Sequence, residues 1–138
     1  MNLNLVRMID IPTHEDQRGV LSCIEQATGF PFGIQRVFYI HRVKHDRGGH
    51  ANRITDQVLI PLKGSLRIRL FDGNREEVFH LARADQGLLI PHMVFLEMYD
   101  FSEDAICLVI ASAEYNEAEY IRSRDEYTRE INSENQQG

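Results

Sequence analysis

The chain has 138 residues, about one ordinary domain, and 43% of them are hydrophobic, which suits a packed core and not a disordered segment. Lys and Arg total 15 against 21 Asp and Glu, a formal net charge of -6, so no broad basic surface is available to neutralise phosphates and nucleic acid is not an expected partner. No apolar run reaches the roughly 18 residues that span a bilayer, and the N-terminus lacks the apolar stretch of a signal peptide, so the expectation is a cytoplasmic protein without a membrane partner.

Short runs rich in Val, Ile, Leu, Phe and Tyr recur along the chain, separated by turn residues, as in antiparallel sandwiches and barrels. The predicted strands are 5–9, 20–25, 36–41, 57–62, 65–71, 76–81, 87–90, 93–99 and 105–111. In 65–71 the alternation is explicit, with Leu66, Ile68 and Leu70 on one side and Ser65, Arg67 and Arg69 on the other. Lys63-Gly64 and Asp72-Gly73-Asn74 tolerate positive φ and read as hairpin turns. Residues 114–131 have helical composition with a patchy stripe of Tyr115, Ala118, Ile121 and Tyr127, which predicts a short helix or strand there. The expected organisation is one domain over 1–131, followed by a polar, frayed tail over 132–138. Cys23 and Cys107 lie in apolar segments and read as reduced core side chains.

The segment from Gly48 to Gln57, followed by Gly64, has the spacing of the first cupin motif: His-x-His, four residues, Glu, six residues, Gly. Its second His is Asn52 here and its Glu is Gln57. The second cupin motif, Pro-x-Gly-x-x-His-x-x-x-Asn, falls on Pro91 to Asp100, with Leu96 in place of the His and Asp100 in place of the Asn. Of the ligand positions only His50 remains, and one imidazole beside two neutral amides is too weak a donor set for a divalent ion. The two motifs in order predict an all-β cupin, a jelly-roll β-barrel, that holds no metal and needs no cofactor.

Further along the same residues the chain resembles a narrower group, the metal-free cupins that act as dTDP-4-keto-6-deoxyglucose 3,4-ketoisomerases (WxcM-like). The similarity is carried by Asp16-Gln17-Arg18-Gly19, Arg36-Val37-Phe38-Tyr39-Ile40, Arg47-Gly48-Gly49-His50-Ala51, Glu97-Met98-Tyr99-Asp100-Phe101-Ser102 and Tyr120-Ile121-Arg122. The resemblance implies an RmlC-like barrel with a dTDP-linked sugar nucleotide in its mouth. It also implies a homodimer whose subunits exchange strands, His50 as the base, and a ligand contact from the segment that holds Arg18.

The chemistry can be stated on its own. In a 4-keto sugar the hydrogen on C3 is acidified by the neighbouring carbonyl, so a base can form an enediolate and return a proton to C4. An imidazole, with an ordinary pKa of ~6.5, is suited to both half-reactions. Asn52 cannot transfer protons at ordinary pH, but its amide can donate to an enediolate oxygen. Arg47 can pair with a diphosphate, as guanidinium forks do. Tyr39 is expected to face the core with its hydroxyl near the cavity, and Asn52 and Gln57 to point inward, where they need partners. The other histidines, and the acidic residues from Glu114 to Glu119, read as solvated surface. Two alternatives stay open: a cupin that binds a nucleotide sugar without turning it over, and an isomerase or epimerase for a different nucleotide sugar.

Overall fold

The computed structural model describes residues 2–137, with the side chains of residues 3–134. In chain order its strands are β1 (Arg7–Asp10), β2 (Thr13–Asp16), β3 (Gly19–Ser22), β4 (Arg36–Ile40), β5 (Arg47–Asn52), β6 (Gln57–Lys63), β7 (Leu66–Phe71), β8 (Glu76–Leu81), β9 (Gln86–Ile90), β10 (Phe95–Tyr99), β11 (Ile106–Ala111) and β12 (Tyr120–Ile121). One helix, α1 (Arg124–Gln137), follows them. Two five-stranded antiparallel sheets form, in the orders β1-β9-β6-β11-β4 and β12-β5-β10-β7-β8, and β2 and β3 make a separate hairpin. This is the jelly roll that the two motifs predict.

Every strand predicted from alternation is present, with shifted ends. β2 and β5 were not predicted, while the short strand or helix expected within 114–131 is present as both β12 and the start of α1. Thr-His-Glu-Asp and Arg-Gly-Gly-His-Ala-Asn carry few β-branched or aromatic residues, and their pairing is imposed by neighbouring strands and not by propensity. Lys63-Gly64 also departs from its expected role. It links β6 in one sheet to β7 in the other, a barrel corner and not a hairpin, while Asp72-Gly73-Asn74 does close the β7–β8 hairpin. At this corner Gly64 has φ +70, and a Cβ would collide with Ser102 Oγ and lie 2.9 Å from Ala105 Cα.

The facing sides of the sheets share one core, in which Leu59, Leu88 and Val109 of the first sheet meet Ile68, Leu70 and Leu96 of the second. Cys107 lies in this core, where burial pushes its thiol up to about 12, so it stays a small apolar group. The outer face of the first sheet is covered by the β3–β4 connection, with Ile24, Phe30 and Phe32 on Val58, Ile60 and Ile110. β6 is therefore buried on both faces and reads as a continuous apolar run.

The outer face of the second sheet is covered by α1. Its first turn is capped by Ser123, whose Oγ accepts from the Glu126 N–H at 3.1 Å. Tyr127 and Ile131, one turn apart, bury against Ala51 and Phe95. The Tyr127 hydroxyl donates to the Met93 carbonyl at 2.7 Å, and the Met93 N–H donates to the Asn52 carbonyl at 2.7 Å. Met93 has φ 59 and stands where the second cupin motif has glycine, so the left-handed turn survives without its usual residue. The sequence places a frayed tail from Asn132, but α1 runs through that segment to Gln137, and Gly138 lies outside the described residues.

Tyr127→Ala should lower unfolding stability by about 3–5 kcal/mol, and Tyr127→Phe by about 1 kcal/mol, as read from urea midpoints. An unchanged midpoint for the alanine variant would mean that α1 contributes nothing to the folded barrel.

Candidate active site

A cavity of about 470 Å³ opens between the two sheets. Period-two alternation decides what reaches it. β4 sends in Arg36, Phe38 and Ile40, and β6 sends in Gln57 and Leu59, whereas in β5 a bulge opposite Leu96 and Glu97 breaks the alternation and Arg47, Gly48 and His50 all line the cavity. Leu96, Tyr120 and Arg122 complete its polar and near-reactive wall. Gly48 is required where β5 meets β10, because a Cβ there would lie 2.9 Å from the Leu96 carbonyl oxygen.

His50 is half-buried, with the Tyr120 ring 5.1 Å away between centroids. Burial pulls its pKa below the ordinary 6.5, and the Arg122 charge pulls the same way. The Gly48 carbonyl, the Asn52 side chain and the Glu119 charge pull in the opposite direction without reversing the result. The ring is thus neutral, and able to accept a proton, across the neutral pH range. Arg36, Arg47 and Arg122 line the cavity and, among the described residues, no carboxylate does. Arg36 stacks on Phe38 at 4.9 Å and lies 5.5 Å from the Tyr115 ring, and its buried Nε has no hydrogen-bond partner. Within a chain of net charge -6 this is a cationic pocket suited to an anionic ligand.

Of the residues named from sequence, His50, Arg47 and Gln57 meet in the cavity. Asn52 lies two residues beyond His50 on the same face of β5, outside the cavity lining and only 3% exposed, and its Nδ2 donates to Glu119 Oε1 at 3.3 Å. Tyr39 is not in the cavity. Both faces of β4 carry apolar residues, so alternation alone left the inward face undecided, and Arg36, Phe38 and Ile40 take it. Tyr39 points outward, 63% exposed, against His41. Arg18 sits on the exposed β2–β3 turn, paired with Asp16 at 2.7 Å, away from this chain's cavity.

Glu119 corrects a second expectation. It is 6% exposed and not solvated, and it accepts from the Ile54 N–H at 3.0 Å, the Thr55 N–H at 3.1 Å, the Thr55 hydroxyl and the Asn52 amide. Arg36 also went unnamed as a site residue; an arginine in register with inward Phe38 and Ile40 was the available signal. Among the described residues no three His, Cys, Asp or Glu side chains gather as a metal site.

Barrel, motif spacing and cationic cavity define a cupin whose central imidazole faces a pocket for an anionic small molecule. Residues 4–132 match the family described as FdtA, WxcM-like, C-terminal, and the chain belongs to that family. It is 42% identical over 118 residues to the TDP-4-oxo-6-deoxy-alpha-D-glucose-3,4-oxoisomerase of Aneurinibacillus thermoaerophilus, covering 84% of this chain and 85% of the relative. A 3,4-ketoisomerase from Helicobacter canadensis superposes with TM-score 0.88 at 40% identity, over 92% of this chain and 97% of the other. The sugar 3,4-ketoisomerase QdtA of Thermoanaerobacterium thermosaccharolyticum, solved with TDP, superposes with TM-score 0.89 at 39% identity, over 94% and 96%. A histidine-to-asparagine variant of that enzyme is solved with TDP-4-keto-6-deoxyglucose. Among the described residues no helix is long and apolar enough to cross a membrane.

The electrostatics predict that an NMR titration of the free protein will place the His50 inflection below 6.5. Arg122→Gln should move it upward, because a neighbouring positive charge that opposes the imidazolium is removed. An inflection that stays fixed or falls in this variant would contradict the electrostatic account.

Proposed function

We propose that the chain is a 3,4-ketoisomerase of TDP-linked 4-keto-6-deoxy sugars, acting in deoxysugar biosynthesis. The observation that carries this reading is the neutral imidazole of His50 on the wall of a cavity lined by three arginines and no carboxylate, in a chain whose relatives catalyse that reaction. Arg36, Arg47 and Arg122 take the diphosphate, and the unpartnered Nε of Arg36 is a donor still to be used. His50 removes the C3 proton while the C3–H electron pair forms the C3–C4 double bond of an enediolate and the C4 carbonyl electrons move onto oxygen. A proton delivered to C4, with loss of the O3 hydrogen, leaves a carbonyl at C3. The substrate is oxidised at C3 and reduced at C4, so no outside oxidant enters. Gln57 supplies an amide donor to the enediolate oxygens.

The protein works as a homodimer in this reading. Among the described residues the β2–β3 hairpin pairs with no other strand, and its Val20 and Leu21 are 62% and 61% exposed. An isolated hairpin is marginal in water, and β4, with exposed Val37 and Tyr39, is an open sheet edge. Exchange of hairpins between two copies covers both surfaces and carries Arg18 toward the partner's cavity. A cytoplasmic location is supported by two unpaired cysteines.

In deuterated water, incubation with TDP-4-keto-6-deoxyglucose should place deuterium in the sugar and form the 3-keto isomer. His50→Asn should lower the rate by roughly 10² to 10⁴ or more. Tight binding without exchange would instead make the chain a nucleotide-sugar binder, and exchange at another carbon a different isomerase. Light scattering should give the mass of two chains, and Val20→Glu with Leu21→Glu should shift it toward one. A wild-type protein with the mass of one chain at micromolar concentration would refute the dimer.

A further inference from the structure

Behind His50 lies a buried polar pair that the reaction as written does not use. The Glu119 carboxylate has four donors: two backbone N–H groups, the Thr55 hydroxyl and the Asn52 amide nitrogen. That last contact settles which way the Asn52 amide points, because the flipped amide would press its oxygen against a carboxylate. With Nδ2 committed to Glu119, Asn52 Oδ1 must face elsewhere. It is buried and has no hydrogen-bond partner of good geometry in the resting structure, an arrangement that calls for a donor. Asn52 does not line the cavity, so a substrate hydroxyl is not the nearest candidate. His50, two residues back on the same strand face, lines the cavity while Asn52 does not.

We infer that Glu119 and Asn52 are positioning residues that hold the His50 proton on the ring nitrogen turned toward Asn52, leaving the other nitrogen free to take the substrate proton. The influence of Asn52 on His50 has the matching sign: it favours the protonated ring, as an acceptor oxygen does and a donor amide does not. The Gly48 carbonyl acts the same way on the same ring. When His50 becomes imidazolium, both acceptors stabilise it. Glu119 stays behind the amide and fixes its orientation, as a carboxylate behind a ligating or catalytic imidazole fixes a tautomer. The inference rests on His50 being the base, but its central measurement does not.

Glu119→Gln is the decisive variant. Two backbone N–H donors keep one end of residue 119 an oxygen, so the new NH₂ faces Asn52 and the Asn52 amide turns over. Imidazole NMR should then show the His50 tautomer preference inverted, and kcat should fall about 10² or more with KM little changed. Asn52→Leu keeps the other three donors to Glu119, leaves the Gly48 carbonyl as the remaining acceptor on the ring, and should shift the His50 tautomer ratio away from the wild-type value, which also serves if Glu119→Gln does not fold. Adding Glu119→Gln to Asn52→Leu should cost nothing further, since the carboxylate acts through the amide. An unchanged tautomer in both single variants, or losses that multiply in the double variant, would overturn the inference. If wild-type protein shows no isomerisation while the tautomer still responds, the ketoisomerase reading fails and the positioning device stands.

Discussion

A β-strand shows only alternate residues to a barrel interior, and in β5 this constraint determines the site. His50 and Asn52 share the inward face, while Ala51 between them faces out beneath α1 and is fully buried there, and a bulge at Gly48-Gly49 resets the phase so that Arg47, opposite Met98, also reaches the cavity. β5 is held on one side by β10 and on the other by β12, with Tyr120 opposite Asn52 and Leu96 opposite His50. Neither lateral slip nor rotation of the strand is open to it, since a shift by one residue would carry the imidazole out of the cavity and Ala51 in. The register therefore puts the imidazole on the cavity wall as a consequence of folding itself.

The electrostatics divide along the same strand. On the cavity side of His50 stand arginines with no carboxylate, although acidic residues outnumber basic ones in the chain. On the far side stands one carboxylate, Glu119, held by four hydrogen-bond donors and also felt by the Arg53 charge. Glu119 is balanced locally by dipoles, so its charge does not need to be met by the cavity arginines, which stay available to a ligand. Arg36 is the clearest case. A buried guanidinium nitrogen is costly to leave unpaired, so Arg36 Nε favours a partner that brings an acceptor.

How far the site could be read from sequence follows the same physics. The barrel was legible because Leu66, Ile68 and Leu70 alternate with polar residues, and because two motifs fall in order around His50. The β5 strand carrying His50 was not, since Arg-Gly-Gly-His-Ala-Asn has no apolar period and takes its form from its neighbours. Tyr39 was misplaced because Val37 and Tyr39 are as apolar as Phe38 and Ile40, so a period of two has two equally good phases. Glu119 was invisible for a different reason. It sits in an acidic run whose other members are exposed, and only the chain crossing that brings it to Thr55 gives it donors. Sequence spacing records contacts along a strand, whereas Glu119 and Asn52 are 67 residues apart.

The replacement of the second motif histidine by Asn52 can be judged on what the reaction demands. Moving hydrogen between adjacent carbons is stoichiometrically closed, because the group that takes the C3 proton can give one back to C4. A second titratable group is therefore useful but not required. What cannot be dispensed with is a base whose lone pair faces the substrate in nearly every molecule, and whose conjugate acid has an acceptor waiting. An amide oxygen supplies that acceptor at every pH, whereas an imidazole in the same place would change from acceptor to donor as it titrates. Held from behind by a buried carboxylate, Asn52 gives His50 a fixed environment, and the loss of a relay is offset by a more constant base.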